Sequence, residues 1–88
     1  MRHVPTRATV VRAGKFTTLV SLDHWYDGQI LAKADTGTIV EAVGIPRHRL
    51  PDTRLWVMAR LAARTADELD LRGWEAYEPT RARTARIA

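Results

Sequence analysis

The chain has 88 residues, with no cysteine, no asparagine and a single serine, Ser21. Without thiols there can be no disulfide framework, no thiolate metal site and no catalytic cysteine. A reducing compartment, read here as the cytoplasm, is the natural expectation. Gln29 is the one carboxamide side chain, so the bidentate adenine contact by which Asn or Gln reads the major groove is nearly out of reach. The lone serine sits in "SLDH", which holds Ser, Asp and His together. Strand alternation there sends His24 to the face opposite Ser21 and Asp23, so a triad of these three cannot close.

Long apolar runs are also missing. No stretch of eighteen apolar residues occurs, and "MRHVPTRATVVRAGK" carries basic residues without an apolar segment or a small-residue cleavage site. Neither membrane association nor a secretory leader is expected. His3, His24 and His48 are too far apart in sequence to form a helical pair of metal ligands, and there is no GxGxxG and no P-loop. "DELD" at Asp67 to Asp70 reads as a solvated acidic face. No catalytic residue, metal or cofactor is expected, and the chain is read as non-enzymatic.

What is present describes one small globular domain. A hydrophobic share of 45 % and a charged share of 27 % are ordinary for a folded chain, and this length suits one core. The division expected is a domain over residues 1–78 and a basic flexible tail over 79–88, "PTRARTARIA". Fourteen Lys and Arg outnumber ten Asp and Glu, for a net charge of +4. Such an excess favours polyanions, because phosphates that are neutralised release counterions. The signal is diluted by its make-up. All the bases except Lys15 and Lys33 are Arg, and with abundant Ala and no Asn this also fits GC-rich coding.

β-Branched residues and hairpin punctuation fill the first half. Gly14-Lys15 separates "TVVRA" from "FTTLVSL", with Gly14 expected to supply a positive φ. Asp27-Gly28 suits a two-residue turn before "QILAKA", and Asp35-Thr36-Gly37 a three-residue loop with Gly37 left-handed. A four-stranded antiparallel meander over residues 8–46 follows, its last strand grouping Ile39, Val43 and Ile45 with Glu41 as a misfit. From Asp52 to Arg72 the spacing of Leu55, Met58, Ala62, Ala66 and Leu69 predicts a helix over about 53–72, capped by Asp52 or Thr53 and ended by Gly73, with Trp74 folding back onto Leu69. The fold class expected is therefore α+β, a small meander packed by one C-terminal helix.

"TGTIVEAVGIPRHRLPD" keeps an alternative open: mostly α, with a helix-turn-helix at 36–51 whose turn is Gly44. Pro51 argues against it by breaking the second helix after one turn, and Thr36-Gly37-Thr38 is a poor helix start.

The function expected is a basic nucleic-acid-binding protein, with a transcriptional or other DNA-linked regulator as one form of it, acting chiefly through phosphates and either non-specific or biased to guanine. The candidate contacts are Arg47, His48, Arg49, Arg54, Arg81, Arg83 and Arg86, since guanidinium forks match phosphate oxygens. Trp25 and Tyr26 could stack a single-stranded base, or else serve as ordinary core or edge residues of the hairpin. The alternative function is a structural or interaction subunit of a virion or other homo-oligomeric assembly. Its expected contact face is Trp56, Arg60 and Arg64, on the predicted helix opposite the apolar stripe.

Overall fold

A computed structural model describes residues 2–77, which form five strands and one helix. These are β1 (Val4–Ala13), β2 (Thr17–Leu22), β3 (Leu31–Asp35), α1 (Thr36–Val43), β4 (Arg54–Ala59) and β5 (Arg72–Ala76). Each strand pairs antiparallel with its neighbours in the order β3-β2-β1-β4-β5. The α+β class stands and the mostly-α alternative is not supported. The sheet has five strands rather than four, and the helix lies between β3 and β4 rather than at the C-terminal end. The predicted tail 79–88 lies outside the described residues.

The helix predicted over 53–72 is absent because "RLWVMA" carries a second period. Leu55, Val57 and Ala59 are buried while Arg54, Trp56 and Met58 alternate with them, the period of a strand. β1 decides between the two readings by offering a ladder partner from Val4 opposite Ala59 to Thr9 opposite Arg54. Asp52 and Asp70, with φ of 69° and 49°, turn the chain at either end of the segment in a way no helix tolerates. Leu69 is buried from a single 3-10 turn, Ala66–Leu69. Gly73 does have a positive φ, 67°, but inside β5, where a Cβ would come 3.3 Å from Met58 Cγ. Trp74 reaches the core from that strand instead of folding back over a helix cap.

The segment expected to be the fourth strand is α1. Asp35 caps it, accepting the Thr38 N–H at 2.8 Å and the Thr38 hydroxyl at 2.9 Å, and Gly44 closes it with φ 71° and an N–H bond to the Val40 carbonyl at 2.9 Å. Ile39 is buried, Val40 and Val43 pack beside it, and Glu41, the misfit of the strand reading, is exposed. So the first helix and the Gly turn of the helix-turn-helix reading exist, but the recognition helix does not. After Gly44 the chain extends through Pro46, makes one 3-10 turn at Arg47–Arg49, buries Leu50 and turns again at Pro51-Asp52.

The turns follow their expected positions more closely than their expected forms. Gly14 does join β1 to β2, yet its φ is not positive; a Cβ there would lie 2.8 Å from the Thr17 carbonyl oxygen. Tyr26, Asp27 and Gly28 all have positive φ, within a connection longer than a two-residue hairpin turn. Gly37 sits in the first turn of α1, not in a left-handed bulge.

One face of the sheet is the core. Ala8, Val10, Val20, Leu22, Leu55 and Val57 lie under Trp25, Ile39, Leu50 and Leu69, all essentially buried. The start of α1 is fastened to the β1–β2 turn: Thr36 donates its N–H to Phe16 and its hydroxyl to Gly14, and accepts from the buried Thr18 hydroxyl at 2.7 Å. Although β3 and β5 are opposite edges of the sheet, Leu31 and Lys33 of one and Trp74 of the other line a single cleft of about 410 Å³. The sheet is therefore curled toward closure and left open along that seam.

The Asp35 cap makes a pH-dependent contribution. The bonds from Thr38 hold its carboxyl below the usual value of 3.8, outweighing a small desolvation that acts the other way. Its stabilisation is thus complete above the unfolded-state pKa and is lost as pH falls through the lower folded-state value. Asp35→Ala is expected to lower the Tm at neutral pH, with the gap to the parent closing only in strong acid. A gap that stayed constant down to about pH 2 would show that the carboxylate is not what caps α1.

Candidate nucleic-acid interface

Register shows which side chains share the outer face of the sheet, where Ser21 donates to the Gly28 carbonyl of the β2–β3 connection at 2.8 Å. Arg54, Trp56 and Met58 point away from the core, so their β1 partners Thr9, Arg7 and Pro5 do as well. Ser21 and Leu31 extend the row of Thr9 and Arg54 across β2 and β3. Arg12, Leu19 and Lys33 form a second row. A shift of register between Val10 and Arg12 is what turns Arg12 outward while Ala13 faces Thr18 on the core side. The face thus carries Arg7, Arg12, Lys33 and Arg54 among Thr9, Ser21, Leu19, Leu31 and Trp56, with the acidic Glu75 of β5 beside Trp56.

Ion pairing divides the basic residues into two groups. Arg7 Nε lies 3.1 Å from Asp23. Asp70 gathers His3 at 3.0 Å, Arg60 at 3.6 Å and Arg72. Desolvation alone pushes the Asp70 pKa up, but the charge of Arg72, the bonds from His3 and Arg72 and the charge of Arg60 outweigh it and hold the carboxyl below 3.8. Arg60 and Arg72 are engaged in tying β4 and β5 together, with His3 bringing in the segment before β1. Among the described residues Arg12, Lys33 and Arg54 enter no ion pair, although Lys33 shares the lining of the seam cleft with Asp35, Asp67 and Asp70.

Trp56 is the aromatic of this face. It is 37 % exposed, with Arg7 and Glu75 as its cross-strand neighbours. Tyr77 meets it edge to face at 5.4 Å and 65°, a favoured geometry for an aromatic pair. At the tip of the β1–β2 turn Phe16 is 74 % exposed, with Lys15 Nζ 5.6 Å from its ring centre.

The residues singled out from sequence fall in several places. Arg47, His48 and Arg49 are together on the exposed 3-10 turn that leads to β4. Arg54 is on the outer sheet face, at the start of β4 instead of in the first turn of a helix. Arg81, Arg83 and Arg86 lie outside the described residues. Trp25 is a core residue, 3 % exposed, its Nε1 donating to the Ala63 carbonyl at 2.9 Å, so its ring offers no stacking face. Tyr26 is half exposed, edge-on to Trp25 at 4.9 Å, and its hydroxyl donates to the Arg64 carbonyl at 3.4 Å. Trp56, Arg60 and Arg64, expected on one helix face, do not form one surface: Trp56 is on the open sheet, Arg60 is turned to Asp70 and Arg64 is in the β4–β5 connection. Trp56 does keep the exposure expected of it.

Sequence reading missed Arg12, Lys33, Arg7 and Phe16. For Lys33 and Phe16 a signal existed, because Lys33 alternates with Ala32 and Ala34 in a predicted strand and Phe16 follows the predicted turn. Arg12 had none, since its direction depends on a register shift in β1. Among the described residues no group of three or more His, Asp and Glu side chains is placed to hold a metal ion. No helix among them is long and apolar enough to cross a membrane. Comparison of the chain with protein-family models, with curated proteins and with solved structures finds no match.

Proposed function

We propose that this protein binds nucleic acid, holding phosphates on the outer face of its sheet. The observation that carries the reading is the set Arg12, Lys33 and Arg54. Three cations without ion-pair partners among the described residues stand on the outer sheet face, two of them guanidinium groups able to meet phosphate oxygens with two parallel bonds. A sheet holds such groups at a set spacing, roughly 7 Å between alternate residues and 5 Å between strands, so their charges add to one field. The exposed Arg47–Arg49 turn, in the connection that leads directly into Arg54, extends the basic surface. The activity proposed is binding without covalent chemistry.

Fluorescence anisotropy with labelled oligonucleotides over a salt series tests this. Neutralising three or four phosphates predicts a slope of log K on log salt of about −3 to −4 for duplex and −2 to −3 for single strands. Absence of binding at about 50 mM salt would overturn the proposal.

A second reading has its own observation. Val11 is 47 % exposed, Phe16 74 % and Leu31 39 %, an amount of apolar surface that copies of this chain, or of an assembly partner, could cover. A sedimentation or light-scattering mass that rises with concentration, without any affinity for polynucleotide, would move the assignment to a subunit of an assembly.

A further inference from the structure

Phosphates explain the cations of the outer face but not the exposed rings, Trp56 on that face and Phe16 at the tip of the β1–β2 turn, and the placement of these rings relative to the cations is ordered. Following β1 from Arg7 toward its C-terminal end, the surface presents Trp56 beside Arg7, then Arg54 beside Thr9, then Arg12, then Lys15 and Phe16 at the turn. Two exposed rings stand at the ends of the path and three cations between them. Arg7 to Ala13 spans roughly 20 Å of strand, and the turn brings the path to about 25 Å. The Trp56 ring packs against Tyr77, and the backbone that carries Phe16 is fixed by its carbonyl, which accepts from Thr36.

A duplex cannot use such rings, because its bases are stacked on one another and show only their edges in the grooves. An unpaired strand can, since each of its bases has a free π face. We infer that the ligand is single-stranded nucleic acid lying along β1, with one base stacked on Trp56, a second on Phe16 and the intervening phosphates held by Arg54, Arg12 and Lys15. This rests on the phosphate reading above and adds the strandedness, the path and its length. The path accommodates about four to six nucleotides, at the short end of the sites single-strand-binding domains use. It implies little discrimination among bases, because stacking is open to all four and the inventory of side chains for reading base edges is poor.

The indole groups make the test direct. Trp25 and Trp74 are 3 % and 6 % exposed, so a base that stacks on tryptophan reaches Trp56. Intrinsic fluorescence is titrated with oligothymidylates of about four, eight and sixteen nucleotides and with a blunt duplex, alongside anisotropy. Expected are quenching by the single strands, affinity that rises up to about six nucleotides and then levels, and weaker binding of the duplex by at least about tenfold. Trp56→Leu should abolish the quenching and lower single-strand affinity about tenfold. Phe16→Ser, at an exposed turn where folding is undisturbed, should lower the affinity similarly while keeping the quenching. Equal binding of duplex and single strand with unchanged emission and a normal salt slope would overturn the single-strand path and leave the phosphate reading standing. Binding of neither probe would remove the phosphate reading itself. If Trp56→Leu does not fold, Phe16→Ser decides alone: unchanged affinity sinks the path.

Discussion

Trp25→Ala is expected to destabilise the domain by about 3–5 kcal/mol, as truncation of a buried large aromatic does. The ring is 3 % exposed, and its Nε1 donates to the Ala63 carbonyl. It thereby joins the β2–β3 connection to the β4–β5 connection, and Tyr26 repeats the link one residue later through Arg64. Both contacts span thirty-eight positions in sequence. Domains of this size are stable by about 4–13 kcal/mol in all, so the substitution removes a large part of the whole. Trp25→Phe separates the two contributions. It keeps most of the apolar volume and leaves the Ala63 carbonyl without its donor, at about 1–2 kcal/mol, or a Tm lower by some 4–16 °C. Urea titrations of the two variants against the parent measure both effects. A loss below about 1 kcal/mol for Trp25→Ala would mean that the ring does not hold these connections together.

Replacing Arg12, Lys33 and Arg54 together by Gln should have the largest effect on binding. With about 0.7 of a counterion released per charge on a single strand, removing three contacts lowers affinity by roughly a hundredfold at 0.1 M salt and by almost nothing near 1 M. The slope against log salt falls by about two, and by nearer three on duplex. Folding should be little changed, within about 0.5 kcal/mol, because all three residues are exposed. The comparison that gives this meaning is Arg47→Gln with Arg49→Gln. If that pair, on the turn before β4, takes the greater loss while the triple variant binds normally, the phosphates are held at the turn and not on the sheet. An unchanged slope in both variants would leave the basic excess as a matter of composition.

These two predictions use residues that were unequally legible beforehand. The β1–β2 turn, β3 and the α+β class could be read because Gly14, Asp27-Gly28 and the alternation around Ala32 and Ala34 are local signals. The helix was misplaced because two periods coexist in "RLWVMA", and the competition is settled by β1, some fifty residues earlier, through its pairing with β4. α1 was misread as a strand because its β-branched Ile39, Val40 and Val43 have weak helix propensity. The Asp35 cap and the left-handed Gly44 outweigh that propensity once Ile39 has a sheet to pack on. At the candidate interface, Arg54 and Trp56 were singled out for a helix surface and stand instead on a sheet, where they acquire Thr9 and Arg7 as neighbours. Cross-strand neighbours are properties of register, and register is set by the whole sheet. Trp25 shows the converse. Its position beside a turn left a stacking ring and an ordinary core or edge residue both open, because its partner, Ala63, belongs to a connection that local reading places inside a helix.

The open seam bears on how the protein coexists with copies of itself. Among the described residues β3 and β5 each pair with a strand on one side only, the arrangement from which edge-to-edge aggregation starts. Both strands are five residues long, and charge recurs along them: Lys33 and Asp35 on one, Arg72 and Glu75 on the other. A second copy extending the sheet from either edge would have to pair these groups or strip them of water, for only a few backbone hydrogen bonds in return. Short, charged edges let the barrel remain unfinished without becoming a template for fibrous growth.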